Sequence, residues 1–147
     1  MEINTASAAI SFARKLEEDG VKFYEDLSQR YSKGADVFLT FAKENRKNVV
    51  QIERAYYGVI TDAIEGCFAF NLNPDKYTLK TELAEEASFS EALDKAVEIE
   101  EKMIKFYSDA ADQSKSLMAD VPRAFTLIAK KREGRESKLK SLLGEED

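Results

Sequence analysis

Apolar residues recur along this chain at spacings of three and four, the period of a helix with one buried face. In the first stretch the stripe is Ile10, Ala13, Glu17, Gly20, Tyr24, Leu27 and Tyr31. The second reads Phe38, Phe41, Asn45, Asn48 and Ile52. The third reads Leu93, Ala96, Glu100, Met103, Tyr107 and Ala110, and the fourth Phe125, Ile128, Arg132, Arg135, Leu139 and Leu142. Four helices are therefore predicted. Helix 1 starts after Thr5, a residue type favoured as an N-cap, and runs to about Tyr31, with Lys33-Gly34 as its stop. Helix 2 starts after Asp36 and runs at least to Tyr57-Gly58. Helix 3 starts at Ser88, where Glu91 completes a capping-box spacing, and ends near Gln113. Helix 4 starts near Asp120, carries Pro122 in its first turn and ends before Gly144.

The stripes repeat. Those of helices 1 and 3 superpose at an offset of 83 residues, and those of helices 2 and 4 at an offset of 87. The expected architecture is an all-α, single-domain bundle over residues 1–147, made of two similar helical hairpins. The connection between them, roughly Val59 to Ala87, is long enough to cross a bundle rather than turn tightly. It holds an aromatic patch, CFAFNLNPDKY, and a helix-like piece, KTELAEEA. Phe68, Phe70 and Tyr77 point to packing on the bundle itself or on another subunit.

One layer of the stripes is polar: Glu17, Asn45, Asn48, Glu100, Arg132 and Arg135. A buried polar group without a partner costs several kcal/mol, so such a layer demands an internal network or a ligand. Tyr24 and Tyr107, seven residues after the two glutamates, are candidate hydrogen-bond donors to them. Competing readings stay open at this level. The arginines can run outward along their aliphatic stems, and Glu17 and Glu100 can sit at the surface beside Glu18 and Glu101.

Helix 1 reads LEEDGVKFYEDL and helix 3 reads IEEKMIKFYSDA, each with a Glu six residues before a Phe-Tyr pair. This doubled pattern, with the long connection, resembles the ferritin-like superfamily, rubrerythrin type, over nearly the whole chain. The resemblance implies a ferritin-like antiparallel four-helix bundle with a crossover connection. It also implies a di-iron centre in which Glu17 and Glu100 stand at ligand positions. The family's second and fourth helices each carry Glu-x-x-His. Here FAKENRKN puts Asn45 and Asn48 at those positions, and IAKKREGR puts Arg132 and Arg135 there. These residues include no match to a rubredoxin-type iron domain, so a bundle without one is expected.

Charge sharpens this departure. A di-iron carboxylate site brings four carboxylates and two imidazoles inward, yet the chain has no histidine at all. Two inward carboxylates face two inward guanidiniums, and the layer is neutral without metal. Arginine keeps its proton and offers no lone pair. The expectation is thus a di-iron layer replaced by a Glu–Arg network, with no cofactor and no catalytic residue, in a non-catalytic scaffold or interaction protein. The alternative is an iron-dependent oxidoreductase, a peroxidase or ferroxidase. Its metal would rest on Glu17 and Glu100, helped by Glu44, Glu133 or Glu136 turned inward by a π-bulge. An all-oxygen site for Ca²⁺ or Mn²⁺, or a small anion held near the arginines, are further readings.

The remaining composition narrows partners. A net charge of −6 opposes nucleic acid. No apolar run approaches the roughly 18 residues that a membrane span needs. The lone cysteine, Cys67, excludes an intrachain disulfide and reads as a buried apolar residue. A cytoplasmic homodimer is expected.

Overall fold

The computed structural model describes residues 2–59, 70–114 and 120–146. Among these are four long helices and no strand: α1 (Ala6–Arg30), α2 (Ala35–Val59), α3 (Phe89–Gln113) and α4 (Asp120–Glu145). Thr5 caps α1 through its hydroxyl, which accepts the Ala8 amide at 3.1 Å. Ser88 and Glu91 form a reciprocal capping box at the start of α3.

Three boundaries differ from the sequence expectation. Gly34 does not stop α1, which has already ended at Arg30. It instead enters α2: at φ +79°, where glycine is favoured, its carbonyl accepts the Phe38 amide at 3.1 Å. Asp36 accordingly lies inside the first turn of α2 rather than before it. At the other end of the chain, α4 passes through Gly144 to Glu145. The segment KTELAEEA is not a helix. Three of its carbonyls accept from side chains at the end of α1 and just beyond it: Arg30 donates to Leu83 and Ala84, and Tyr31 donates to Ala87 at 2.7 Å.

α1 packs along α2 and α3 along α4, and α2 also lies against α4. The buried apolar faces of all four helices join in one cluster that includes Leu16, Leu27, Phe38, Ile99, Met103, Phe125 and Leu139. Pairing across the core sets directions. Glu17 meets Tyr107 while Tyr24 meets Glu100, so α1 and α3 run antiparallel.

Residues 70–87 lie against the outside of this pair. Ile3 and Leu72 exchange backbone hydrogen bonds of 2.7 and 3.0 Å at the foot of α1. Tyr77 is buried against Phe12 and Phe106 and donates to Asp109 at 2.6 Å. Phe70 is buried in the same cluster. The aromatic residues of the connection that fall within the described residues thus pack on their own bundle. Cys67 and Phe68 lie outside the described residues.

Candidate functional site

The six polar residues of the stripes are all brought together and all buried. Glu17, Asn45, Glu100 and Arg132 are 0% exposed, Asn48 1% and Arg135 3%. Each helix supplies its members by a simple repeat. Asn45 and Asn48 sit three apart on α2, as do Arg132 and Arg135 on α4, and residues three apart share a helix face. The readings that place the arginines along outward stems, or the glutamates at the surface, are corrected by this burial.

Arg132 stands at the centre. Its Nη1 donates to Glu100 Oε1 at 2.7 Å, and its Nη2 reaches both oxygens of Glu17 at 2.6 Å. The guanidinium therefore bridges α1 and α3 from α4. Burial lowers its affinity for a proton, but the adjacent charges of Glu100 and Glu17 outweigh that and hold it well above the ordinary arginine value.

Arg135 is satisfied on every side. Its Nη1 donates to Asn45 Oδ1 at 2.5 Å and lies 3.7 Å from Glu100 Oε2. Its Nη2 donates to the Phe41 carbonyl at 2.9 Å, and its Nε to Glu44 at 3.3 Å. The Phe41 ring lies 4.8 Å from the guanidinium, within cation–π range.

The tyrosines complete the carboxylates. Tyr24 donates to Glu100 Oε2 at 2.6 Å, and Tyr107 to Glu17 Oε2 at 2.5 Å. Each serves the glutamate of the other hairpin. A Tyr seven residues along its own helix lies about 10.5 Å from its own Glu, out of hydrogen-bond reach, whereas the antiparallel partner brings the other Glu level with it. Burial and then the nearby Glu100 charge raise Tyr24 well above the usual phenol range. Burial and the Glu17 charge do the same for Tyr107.

Asn45 and Asn48 tie α2 to α1. Asn45 Nδ2 donates to the Glu17 backbone carbonyl at 3.2 Å, and Asn48 Nδ2 to Glu17 Oε1 at 3.2 Å. Two contributors escaped the sequence reading. The Phe41 carbonyl carries no sequence signal. Gly20 does: a glycine within a helix stripe forgoes about 0.5–1 kcal/mol relative to alanine. A Cβ there would stand 2.1 Å from Asn45 Nδ2, so Gly20 is the gap through which Asn45 reaches α1.

The three carboxylates named as auxiliary metal ligands do not join the layer. Glu44 leans on Arg135 and its side chain is 40% exposed. Glu133 is exposed, and Glu136 pairs with Lys140 at 3.6 Å on the surface. No π-bulge turns any of them inward; α2 and α4 are α-helical throughout their described lengths. Among the described residues, no three His, Cys, Asp or Glu side chains gather as a metal-holding group.

A pair of irons asks for four carboxylates and two imidazoles. The residues present do not fit it. Of the two carboxylates available, all four oxygens accept hydrogen bonds from Arg132 or the tyrosines, and a fixed cation lies between them. What the arrangement does chemically is neutralise charge and hold four helices in register.

Comparison with known proteins finds no matching family model, no significantly similar curated protein and no significantly similar solved structure.

Proposed function

We propose that this protein is a metal-free scaffold or interaction protein on a ferritin-like bundle, in which a salt-bridged layer stands where relatives of that type hold two irons. The observation that carries the reading is Arg132, bonded to both Glu17 and Glu100, all three side chains fully buried. A cation cannot be added there without displacing a guanidinium that does not deprotonate. No general base or nucleophile stands in the layer to do other chemistry. Each carboxylate is committed to an arginine, and the tyrosines hold their protons tightly.

Support for a ferritin-like arrangement comes from helix direction. α1 and α3 are antiparallel, and each hairpin is antiparallel within itself, so α2 and α3 point the same way. A connection joining them has to travel the length of the bundle, and residues 70–87 follow α1 from Ile3 to Tyr31. No helix among the described residues is long and apolar enough to cross a membrane, and residence in the cytoplasm is part of the same proposal. So is self-association. Leu39 and Val50 on α2 and Leu127 on α4 are 51%, 48% and 43% exposed, large apolar side chains facing outward.

Elemental analysis after anaerobic incubation with excess Fe(II) and desalting tests the core claim. The expected result is no retained iron. Two irons per chain with peroxidase or ferroxidase turnover would replace the scaffold reading with the oxidoreductase one.

A further inference from the structure

The polar layer is not evenly satisfied. Every polar side-chain atom of Arg135 and Asn45 has a partner. Two buried atoms do not: Arg132 Nε, a donor, and Asn48 Oδ1, an acceptor. These two belong to neighbouring side chains. Arg132 Nη2 and Asn48 Nδ2 both donate to the same atom, Glu17 Oε1, at 2.6 and 3.2 Å. Among the described residues, the two unpartnered atoms thus belong to side chains that share one acceptor, Glu17 Oε1.

Asn48 also borders the surface. Between α2 and α4 runs a groove of about 360 Å³ lined by Glu44, Lys47, Asn48 and Lys131. Asn48 is 1% exposed yet forms part of its wall. With Nδ2 committed to Glu17, Oδ1 is its only other polar side-chain atom. Turning the amide over is no remedy, because it would set the oxygen against the Glu17 carboxylate.

A buried donor or acceptor left unpaired costs about 1–3 kcal/mol. A donor and an acceptor left open on adjacent residues call for a ligand that both accepts and donates. Water is such a ligand, and buried waters typically occupy polar sites with two to four partners. A hydroxyl group on a small solute has the same capacity. A metal ion does not, since it cannot accept from Arg132 Nε. A simple halide does not either, since it cannot donate to Asn48 Oδ1.

We propose that the inner end of the α2–α4 groove is a binding site for one hydroxylic group, accepting from Arg132 Nε and donating to Asn48 Oδ1. The occupant is water or the hydroxyl end of a small solute entering past Lys47 and Lys131. The site depends only on the local geometry of Glu17, Asn48 and Arg132. It holds whether or not the bundle serves as a scaffold.

The test is a crystal structure at a resolution that shows ordered water, determined on untreated crystals and on crystals soaked in methanol. The expected result is a single peak within hydrogen-bonding distance of both atoms in untreated crystals. In the soak, density extended by a methyl group into the groove assigns the site to hydroxyl-bearing solutes, and an unchanged peak assigns it to water. Asn48→Leu, which removes the acceptor, is expected to abolish the peak, with circular dichroism confirming that the variant folds. A wild-type map with no peak there, or with Asn48 Oδ1 bonded to another protein group, overturns the proposal without any variant. Iron uptake is a separate readout, so failure here is distinguishable from failure of the metal-free reading.

Discussion

Taking away the guanidinium of Arg132 leaves Glu17 buried with no cation beside it and Glu100 with only Arg135, 3.7 Å away. Breaking a buried ion pair by removing one partner typically costs about 3–5 kcal/mol, whereas replacing the whole set with apolar residues is often neutral or stabilising. Arg132→Ala is therefore expected to lower Tm by about 10 °C. The combined change Glu17→Leu, Glu100→Leu, Arg132→Met, Arg135→Met, Tyr24→Phe and Tyr107→Phe, which removes every charge of the layer, is expected to recover at least half of that loss in thermal melts. If Arg132→Ala melts like the wild type, the layer contributes nothing as a charge network.

The same residues set a response to alkali. Tyr24 and Tyr107 hold their protons above the ordinary phenol value in the folded state, because burial and the facing glutamates oppose a phenolate. In the unfolded chain they ionise near pH 10. Above that pH the unfolded state binds fewer protons than the folded one, so stability is fully present below about pH 10 and falls as pH rises. Each tyrosine contributes a slope of about 1.4 kcal/mol per pH unit. Tyr77, raised by burial and by Asp109, adds to the same trend. Urea denaturation across this range is expected to show a steep decline, shallower in Tyr24→Phe by one tyrosine's share. A flat profile would mean that the phenols ionise within the fold.

At the scale of the helices, two glycines make opposite predictions from the same substitution. Both Gly20 and Gly134 lie inside helices, where alanine is intrinsically favoured by about 0.5–1 kcal/mol. A Cβ at Gly134 meets nothing within 4 Å, so Gly134→Ala is expected to stabilise by about that amount. A Cβ at Gly20 lands on the Asn45 amide. That displaces a side chain which holds α2 to the Glu17 carbonyl and accepts from Arg135. Gly20→Ala is expected to destabilise by about 1–3 kcal/mol despite its helix propensity, the usual cost of overpacking a filled core. Chemical denaturation of the two variants gives the comparison. Equal stabilisation in both would mean that Asn45 yields its place freely.

At the scale of the whole molecule, α2 and α4 present large apolar side chains outward at Leu39, Val50 and Leu127. Leu39 and Val50 lie eleven residues apart on α2, about three helical turns, and so project from one face. Sedimentation across a concentration series is expected to show mass rising toward that of a dimer, and Leu39→Glu with Val50→Lys is expected to hold the chain monomeric. A monomer at every concentration would remove self-association.

The helix stripes and the repeat between the hairpins were legible in the chain itself. The period of apolar residues dictates which face of a helix is buried, whatever that face packs against. For the same reason the six polar positions of the layer could be named: a Glu or Arg in an apolar stripe stands out at the residue level. The start of α3 was equally local, since Ser88 and Glu91 satisfy amides of their own turn. What the sequence could not determine was partnership. Tyr24 serves Glu100 and Tyr107 serves Glu17 only because α1 and α3 run antiparallel, and direction is a property of assembled helices. Arg132, rather than Arg135, became the bridge between the glutamates because of how α4 sits against α1 and α3, which no stripe resolves. KTELAEEA has helix-forming composition yet is not a helix; Arg30 and Tyr31, over fifty residues away, hold its Leu83, Ala84 and Ala87 carbonyls instead. Gly20 acquired its meaning from Asn45 on another helix. Local periodicity determined which residues went inside; tertiary packing alone decided which of them met.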